Sequence, residues 1–125
     1  MQHMRFFAVA ALLAGLAWAL PALSQDEMER VPNTVFPSPQ RSEATFKHDE
    51  HNDKAGLFEC GVCHHGETDG KADPTFETPG QPCVECHPVE GAPGRTPLMR
   101  AYHRQCVGCH HDAGNGPLTC GECHN

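Results

Sequence analysis

A five-residue motif, Cys-x-x-Cys-His, occurs four times in this chain of 125 residues. In c-type haem attachment, the two cysteine sulfurs bond to the vinyl groups of a haem and the histidine binds the iron from one side. All eight cysteines of the chain belong to these motifs. The repetition therefore predicts four haem c groups, numbered in chain order and held by Cys60 and Cys63, Cys83 and Cys86, Cys106 and Cys109, and Cys120 and Cys123.

Two other interpretations of the eight cysteines are weaker. A disulfide scaffold, common in exported proteins, does not need a histidine directly after every second cysteine. Zinc sites place their histidines at finger spacing, whereas each of these histidines lies inside its own motif. Haem attachment is the interpretation that accounts for every cysteine and for the histidine beside it.

The N-terminus has the features of a secretory signal. One positive charge, Arg5, precedes an apolar run over residues 6–20, Pro21 ends the run, and residues 22–24 offer small side chains at the positions that a signal peptidase inspects. We therefore predict a cleaved signal peptide over residues 1–24 and a periplasmic location. An uncleaved membrane anchor is the alternative, which the short run and its proline disfavour. No cysteine stands at the predicted cleavage point, so no lipid anchor is expected there.

The charge of the chain restricts its partners. Loss of residues 1–24 removes only Arg5 from the 9 basic side chains and none of the 16 acidic ones, so the formal charge becomes −8. Haem propionates would add further negative charge. Nucleic acid is therefore excluded as an expected partner, and a basic protein surface is favoured.

Apolar side chains after residue 24 are few and scattered. A domain of this size has little surface to bury, so the haems must form the core, and haem insertion should be coupled to folding. We predict a small multihaem fold, mostly irregular, with a few short α-helices and at most a short β-hairpin. Its predicted parts are a signal peptide over 1–24, an extended proline-rich leader over 25–44 and a tetrahaem domain over 45–125. A passive role and a docking role for the leader are both open.

One helix can be placed from its end signals. Thr96 can cap it, Pro97 suits its first position, and the apolar spacing supports a helix over residues 97–106. Other local patterns predict a short strand over residues 45–47, short helices before Cys60 and Cys83, and a loop over residues 73–82, which contain Pro74, Pro79 and Gly80.

Nine histidines remain after the signal peptide is removed. The motifs contain the four proximal ones, which are His64, His87, His110 and His124. Five others, His48, His51, His65, His103 and His111, are available for four sixth coordination positions. This surplus predicts two histidines on every iron, a closed site of low potential that suits an electron carrier and not an enzyme. The alternative is a multihaem reductase or gas sensor, in which one iron keeps an open position.

The run Phe46-Lys47-His48-Asp49-Glu50-His51, followed by Cys60-Gly61-Val62-Cys63-His64-His65, resembles the tetrahaem cytochrome c3 family, or class III cytochromes c, of sulfate-reducing bacteria. The resemblance extends over residues 45–124 and implies the fold of that family. It also implies the axial pairs His64 with His48 on haem 1, His87 with His65 on haem 2, His110 with His51 on haem 3, and His124 with His103 on haem 4. His111 is then the spare histidine, and the choice between His103 and His111 is open.

The acidic character, the absence of lysine after Lys71 and the run Ala101-Tyr102-His103-Arg104 resemble the acidic, type II members of the family. Those members are associated with transmembrane redox complexes. The resemblance implies a periplasmic electron-transfer protein of anaerobic sulfate respiration. Its expected donor is a basic tetrahaem cytochrome c3 supplied by hydrogenase, and its expected acceptor is a transmembrane redox complex.

Overall fold

The structure, a computed structural model, describes residues 28–125. The predicted signal peptide over residues 1–24 lies outside the described residues. Within residues 28–125, no helix is long and apolar enough to cross a membrane. The elements in chain order are β1 (Arg30–Val31), β2 (Ala44–Thr45), α1 (His48–Ala55), a 3-10 turn (Cys60–Val62), β3 (His65–Thr68), β4 (Lys71–Glu77), a second 3-10 turn (Cys83–Glu85), α2 (Leu98–Ala113) and α3 (Cys120–Cys123).

Strands β1 and β2 form a two-stranded antiparallel ribbon, in which Arg30 lies opposite Thr45. The strand predicted over residues 45–47 therefore ends earlier, since β2 covers Ala44–Thr45 and helix α1 begins at His48. Turns and irregular backbone fill residues 32–43. The described part of the leader contains no helix, and its strand β1 pairs with β2.

Helix α1 lies on the surface, and none of its residues is buried. Asp49 and Glu50 in the first turn and Lys54 in the last turn match the helix dipole. Glu50 also pairs with Lys54 at 2.5 Å, and this contact, followed by that of Lys47, lowers the pKa of the Glu50 carboxyl. Gly56, at φ 65°, ends the helix. Local charges and caps therefore hold α1, because core packing contributes little.

Strands β3 and β4 form a hairpin closed by Asp69 and Gly70, both at positive φ. The loop predicted over residues 73–82 is therefore wrong as far as Glu77, where β4 ends. A register shift between His65 and Gly66 lets three extra residues bulge from β4, among them Pro74. Because a bulged residue makes no ladder hydrogen bond, the missing N–H of this proline costs the hairpin nothing.

Helix α2 is longer than the sequence predicts. It begins at Leu98, with Pro97 one position before it and no side-chain cap, so the predicted capping by Thr96 is wrong. It continues through the whole third motif to Ala113, where Gly114 ends it at φ 63°. In helical geometry the two cysteines and the histidine of that motif lie on adjacent turns of one face. The short helix predicted before Cys60 corresponds to α1. The one predicted before Cys83 is wrong, since no helix lies between Glu77 and Cys83 and the 3-10 turn at Cys83–Glu85 is part of the motif itself.

The polypeptide has almost no core of its own. Leu98, at 0% exposure, is the one apolar side chain that is fully buried among residues 28–125. Large apolar side chains remain exposed, including Phe58 at 85%, Met99 at 60% and Phe76 at 57%. One buried leucine cannot stabilise a domain of this size. The few helices, short strand pairs and irregular backbone agree with the predicted fold class and require other apolar material in the interior.

Candidate haem-binding sites

Four pairs of histidine rings face each other across the structure. In each pair, one histidine belongs to a motif and the other lies outside the four motifs. His65, the residue directly after the first motif, is one of the outside histidines. The ring centroids are 6.4 Å apart for His48 and His64, 6.1 Å for His51 and His110, 6.1 Å for His65 and His87, and 6.3 Å for His103 and His124. These are the same pairs that the family resemblance implies, although the iron ligation itself stays a prediction.

The separations fit a metal ion between two imidazoles. Two metal–nitrogen bonds of about 2.0 Å and two half-rings of roughly 1.2 Å add up to about 6.4 Å between ring centroids. Aromatic rings in direct contact also span about 4.5–7 Å, so one pair alone would decide little. Four pairs at 6.1–6.4 Å, each containing one motif histidine, indicate a common cause. The histidines present therefore fit four irons with two axial imidazoles each.

Hydrogen bonds at Nδ1 set the tautomer of several of these rings. A backbone carbonyl only accepts, so a ring beside one carries its hydrogen on Nδ1 and leaves the Nε2 lone pair for a metal. This arrangement occurs at His65 with the Gly66 oxygen (3.0 Å), His87 with the Thr96 oxygen (3.0 Å), His110 with the Pro117 oxygen (2.8 Å) and His124 with the Ser42 oxygen (2.6 Å).

The eight cysteines are all free thiols in the structure, so they form no disulfides. Within the described residues, no group of three or more His, Cys, Asp or Glu side chains is arranged to hold a bare metal ion. Burial is the largest cause that raises the pKa of one thiol in each motif: Cys63, Cys83, Cys106 and Cys123. Of these, Cys106 also interacts with the charges of the other three. One thiol of each motif is therefore partly withdrawn from water.

Helix α2 links the first motif to the third. Its own residues include Cys106, Cys109 and His110 of the third motif. Gln105 donates from Nε2 to the Val62 oxygen at 2.8 Å, inside the first motif, and lies 3.7 Å from the sulfur of Cys63. An open cleft of about 990 Å³ runs along this helix, and its lining includes Val62, His103, Cys109 and Leu118. The lining places one attachment thiol, that of Cys109, and both His103 and His111 among apolar side chains and charged ones such as Arg104.

Helix α1 positions two of the facing histidines at once. His48 and His51 are three residues apart, so the helix carries both on neighbouring turns. The ring of Phe46 contacts both, with centroids 6.0 Å from His48 and 5.0 Å from His51. In the predicted assignment these histidines belong to haems 1 and 3, so Phe46 lies between the ligands of two sites.

His111 and His103 differ in their surroundings. His111 is 77% exposed, and its Nδ1 lies 3.1 Å from a carboxylate oxygen of Asp112. Among residues 28–125 it faces no other histidine ring, whereas His103 faces His124 at 6.3 Å. The structure therefore favours His103 over His111 as the ring opposite the fourth motif.

Two supporting features are absent from the sequence reasoning. Gly61, within the first motif, packs so closely on strand β4 that an added Cβ would lie 1.8 Å from the Pro74 oxygen. Gly116, at φ 101°, lies against the ring of His110. A Cβ added at Gly116 would lie 2.6 Å from Cδ2 of that ring. A glycine inside a motif and the Gly-Asn-Gly-Pro run after α2 are the signals that could have revealed them.

Comparisons with known proteins agree with these observations. The family model described as the class III cytochrome c family matches residues 24–124. One similar protein is the nine-heme cytochrome c of Desulfovibrio desulfuricans (strain ATCC 27774 / DSM 6949 / MB), which is 44% identical over 54 residues. That alignment covers 41% of this chain and 14% of the relative, so the chain corresponds to a small part of the relative's length.

Proposed function

Because the chain belongs to the class III cytochrome c family, whose members are electron carriers with covalently bound haem c, we propose that it is a periplasmic carrier with four bis-histidine haems. The observation that supports this proposal most directly is the set of four facing histidine pairs. The eight motif cysteines would attach the haems. The axial ligands would be His48, His51, His64, His65, His87, His103, His110 and His124.

Haem iron, when bound, supplies one-electron chemistry through its ferric and ferrous states. The chain contributes closed coordination, because a second imidazole on each iron leaves no position for a substrate. Hydrogen bonds from Nδ1 to backbone carbonyls hold the rings in one tautomer and make them more basic ligands. Basic neutral ligands without a methionine favour the ferric state, so the residues present are suited to a low potential.

Charge supports the choice of partners. Residues 25–125 carry a formal charge of −8, since the 9 basic side chains of the full chain lose Arg5 and the 16 acidic ones all remain. A surface of this sign attracts a basic protein over a distance and is screened by salt. We propose a basic tetrahaem cytochrome c3 as donor and a transmembrane redox complex as acceptor, in keeping with the acidic, type II members that the sequence resembles.

The second candidate, a multihaem reductase or gas sensor, requires one iron with an open position. Each motif histidine faces a second histidine, so the geometry favours closed sites at all four. The basic residues before the third motif could otherwise bind an oxyanion. Of these, Arg95 pairs with Glu67 on the hairpin instead. No observation specifically favours the enzymatic candidate.

Spectroscopy of the matured holoprotein tests the proposal. Mass spectrometry should find four covalent haems per chain, and EPR of the oxidised protein should show low-spin iron alone. Carbon monoxide should not change the optical spectrum of the reduced protein. A high-spin signal, or a carbon monoxide band, would identify an open iron and support the reductase or sensor instead.

Electron-transfer kinetics test the partner. A reduced basic tetrahaem cytochrome c3, mixed with the oxidised protein in a stopped-flow instrument, should transfer electrons at a rate that falls as salt is added. An acidic electron donor of similar potential serves as the control and should react more slowly at low salt. A rate with the basic donor that does not depend on salt would contradict charge-steered docking.

A further inference from the structure

The ribbon of strands β1 and β2 holds a segment that is distant in sequence, the pair His124 and Asn125. Thr45 donates from Oγ1 to the side-chain oxygen of Asn125 at 2.8 Å. Arg30 donates from Nη1 to the backbone oxygen of Asn125 at 3.5 Å and to the Glu43 oxygen at 3.2 Å. The Arg30 guanidinium therefore joins β1 both to Asn125 and to Glu43, the residue before β2. We call these contacts the clasp.

The connection between the two strands, which ends just before β2, contacts the histidine ring directly. Nδ1 of His124 lies 2.6 Å from the Ser42 oxygen, the shortest hydrogen-bond contact of a histidine Nδ1 within residues 28–125. Because Ser42 offers a backbone carbonyl, side-chain chemistry cannot adjust this acceptor, and only the position of the ribbon can. The orientation of the His124 ring is therefore tied to the position of the ribbon.

This support differs in kind from that of two other motif histidines. The carbonyl that accepts from His87 is 9 residues along the chain, and the one that accepts from His110 is 7 residues along. The acceptor for His124 is 82 residues away. A nearby loop moves together with the ring that it holds, whereas a distant segment must be kept in place by additional contacts. The clasp supplies such contacts.

The facing ring adds no comparable support. His103 lies opposite His124 at 6.3 Å, and within residues 28–125 no hydrogen bond to a ring nitrogen of His103 is found. The Ser42 carbonyl is thus the hydrogen-bond acceptor that orients the ligand pair of haem 4. Movement of the ribbon should therefore affect this site most. Its links to haems 1 and 3 are indirect, through the Phe46 ring that follows β2 and through the Met28 carbonyl that accepts from the His48 N–H at 3.0 Å.

We infer that the ribbon is a positioning element for haem 4, in which Arg30 and Thr45 keep the Ser42 carbonyl on the His124 imidazole. This inference rests on the proposed ligation of haem 4 by His103 and His124. A strong N–H···O=C hydrogen bond makes an imidazole a more basic ligand, which favours ferric iron and lowers the reduction potential. The leader segment would then set the potential of one haem out of four.

Conservative variants of the two clasp residues test the inference. In the holoprotein, the double variant Arg30→Met and Thr45→Val keeps similar side-chain volumes and removes both donors. The matched control, Arg41→Met and Thr34→Val, removes the same chemical groups from the same segment. Within residues 28–125, neither control side chain hydrogen-bonds to His124 or Asn125. Both proteins should first be shown to carry four haems.

The readouts are the reduction potential of each haem, from NMR-monitored redox titration, and the low-spin EPR signals. The clasp variant should raise the potential of haem 4 more than that of any other haem and should change the EPR signal of haem 4, while the control should match the wild type. The single variant Thr45→Ser keeps the hydroxyl donor and should have the wild-type potential at haem 4. Thr45→Val alone should not. An unchanged haem 4, or equal shifts at all four haems, would overturn the inference.

The wild-type spectrum separates this inference from the proposed function. If the wild-type protein has four low-spin irons and the clasp variant does not shift haem 4, only the positioning role is wrong. If the wild-type protein already shows an open iron at haem 4, the proposed ligation is wrong, whatever the variants do. Should the double variant not mature, the two single variants provide the same comparison.

Discussion

Replacement of Gly61 by alanine should separate the first motif from strand β4. A Cβ at this position would lie 1.8 Å from the Pro74 oxygen, 2.8 Å from the Pro74 carbon and 3.2 Å from Cγ of Glu77. The first two are backbone atoms, so no side-chain rotation relieves the contact. The strand must retreat by about 1.6 Å to restore ordinary van der Waals distance near 3.4 Å.

The cost can be estimated from two contributions. Overpacking that forces a backbone shift destabilises a protein by about 1–3 kcal/mol. The retreat also breaks the hydrogen bond from the Gly61 N–H to the Glu77 carboxylate, 3.0 Å long, which contributes about 1 kcal/mol. We therefore expect Gly61→Ala to lower the free energy of unfolding by about 2–4 kcal/mol. For a domain of this size, this lowers Tm by roughly 8 °C or more.

Gly121 provides a matched control, because it occupies the same position of the fourth motif. An added Cβ there meets nothing within 4 Å, and the residue lies in helix α3. Gly121→Ala should leave Tm unchanged or raise it slightly, since alanine is favoured over glycine in a helix by up to about 1 kcal/mol. Calorimetry of both holoproteins, after mass spectrometry confirms four haems in each, gives the comparison. Equal Tm values for the two variants would refute the close packing of the first motif on β4.

Three further changes have defined outcomes. His103→Ala should open one iron, so that the reduced holoprotein binds one carbon monoxide per four haems. His111→Ala removes a ring that is 77% exposed, and this variant should bind no carbon monoxide. The reverse result would exchange the roles of the two histidines. The haem-free chain should show no cooperative unfolding transition in circular dichroism, because Leu98 alone is fully buried among the described apolar residues; a cooperative transition would contradict a core made of haems. Hydrogen bonds from Thr75 and then Thr68 lower the pKa of Asp73. The Asp73 carboxylate therefore contributes its full stabilisation above the ordinary Asp pKa, and this contribution is lost as the pH falls through the lower folded value, so Asp73→Asn should lose less stability below about pH 4 than the wild type in thermal unfolding. The same decrease of Tm with falling pH in both proteins would contradict the lowered pKa.

Local chemistry made much of the site predictable. The spacing of each motif is complete within five consecutive residues, so the attachment cysteines and proximal histidines could be proposed without knowledge of the fold. The scarcity of apolar side chains likewise predicted a chain without its own core, and Leu98 is the one fully buried apolar residue described. Neither inference depends on which distant residues meet.

Several local expectations failed where long-range contacts override propensity. The two prolines and the glycine between residues 73 and 82 suggested loop, yet the Asp69-Gly70 turn pairs β4 with β3 and places Pro74 in a bulge. Pro97 indicated the first position of a helix, but α2 begins one residue later and continues to Ala113. Packing and pairing partners decide such boundaries, and a single segment does not contain them.

Adjacent residues carry the chemistry that can be recognised without a fold: four attachment motifs, an acidic chain and more histidines than the motifs use. The residues alone left five histidines for four positions, and only the resemblance implied their pairing. The tertiary structure decided that His103, and not His111, faces His124, and that Ser42 lies beside that ring across 82 residues of chain. The reason is physical: covalent spacing is local, whereas the distance between two rings depends on how every intervening segment folds.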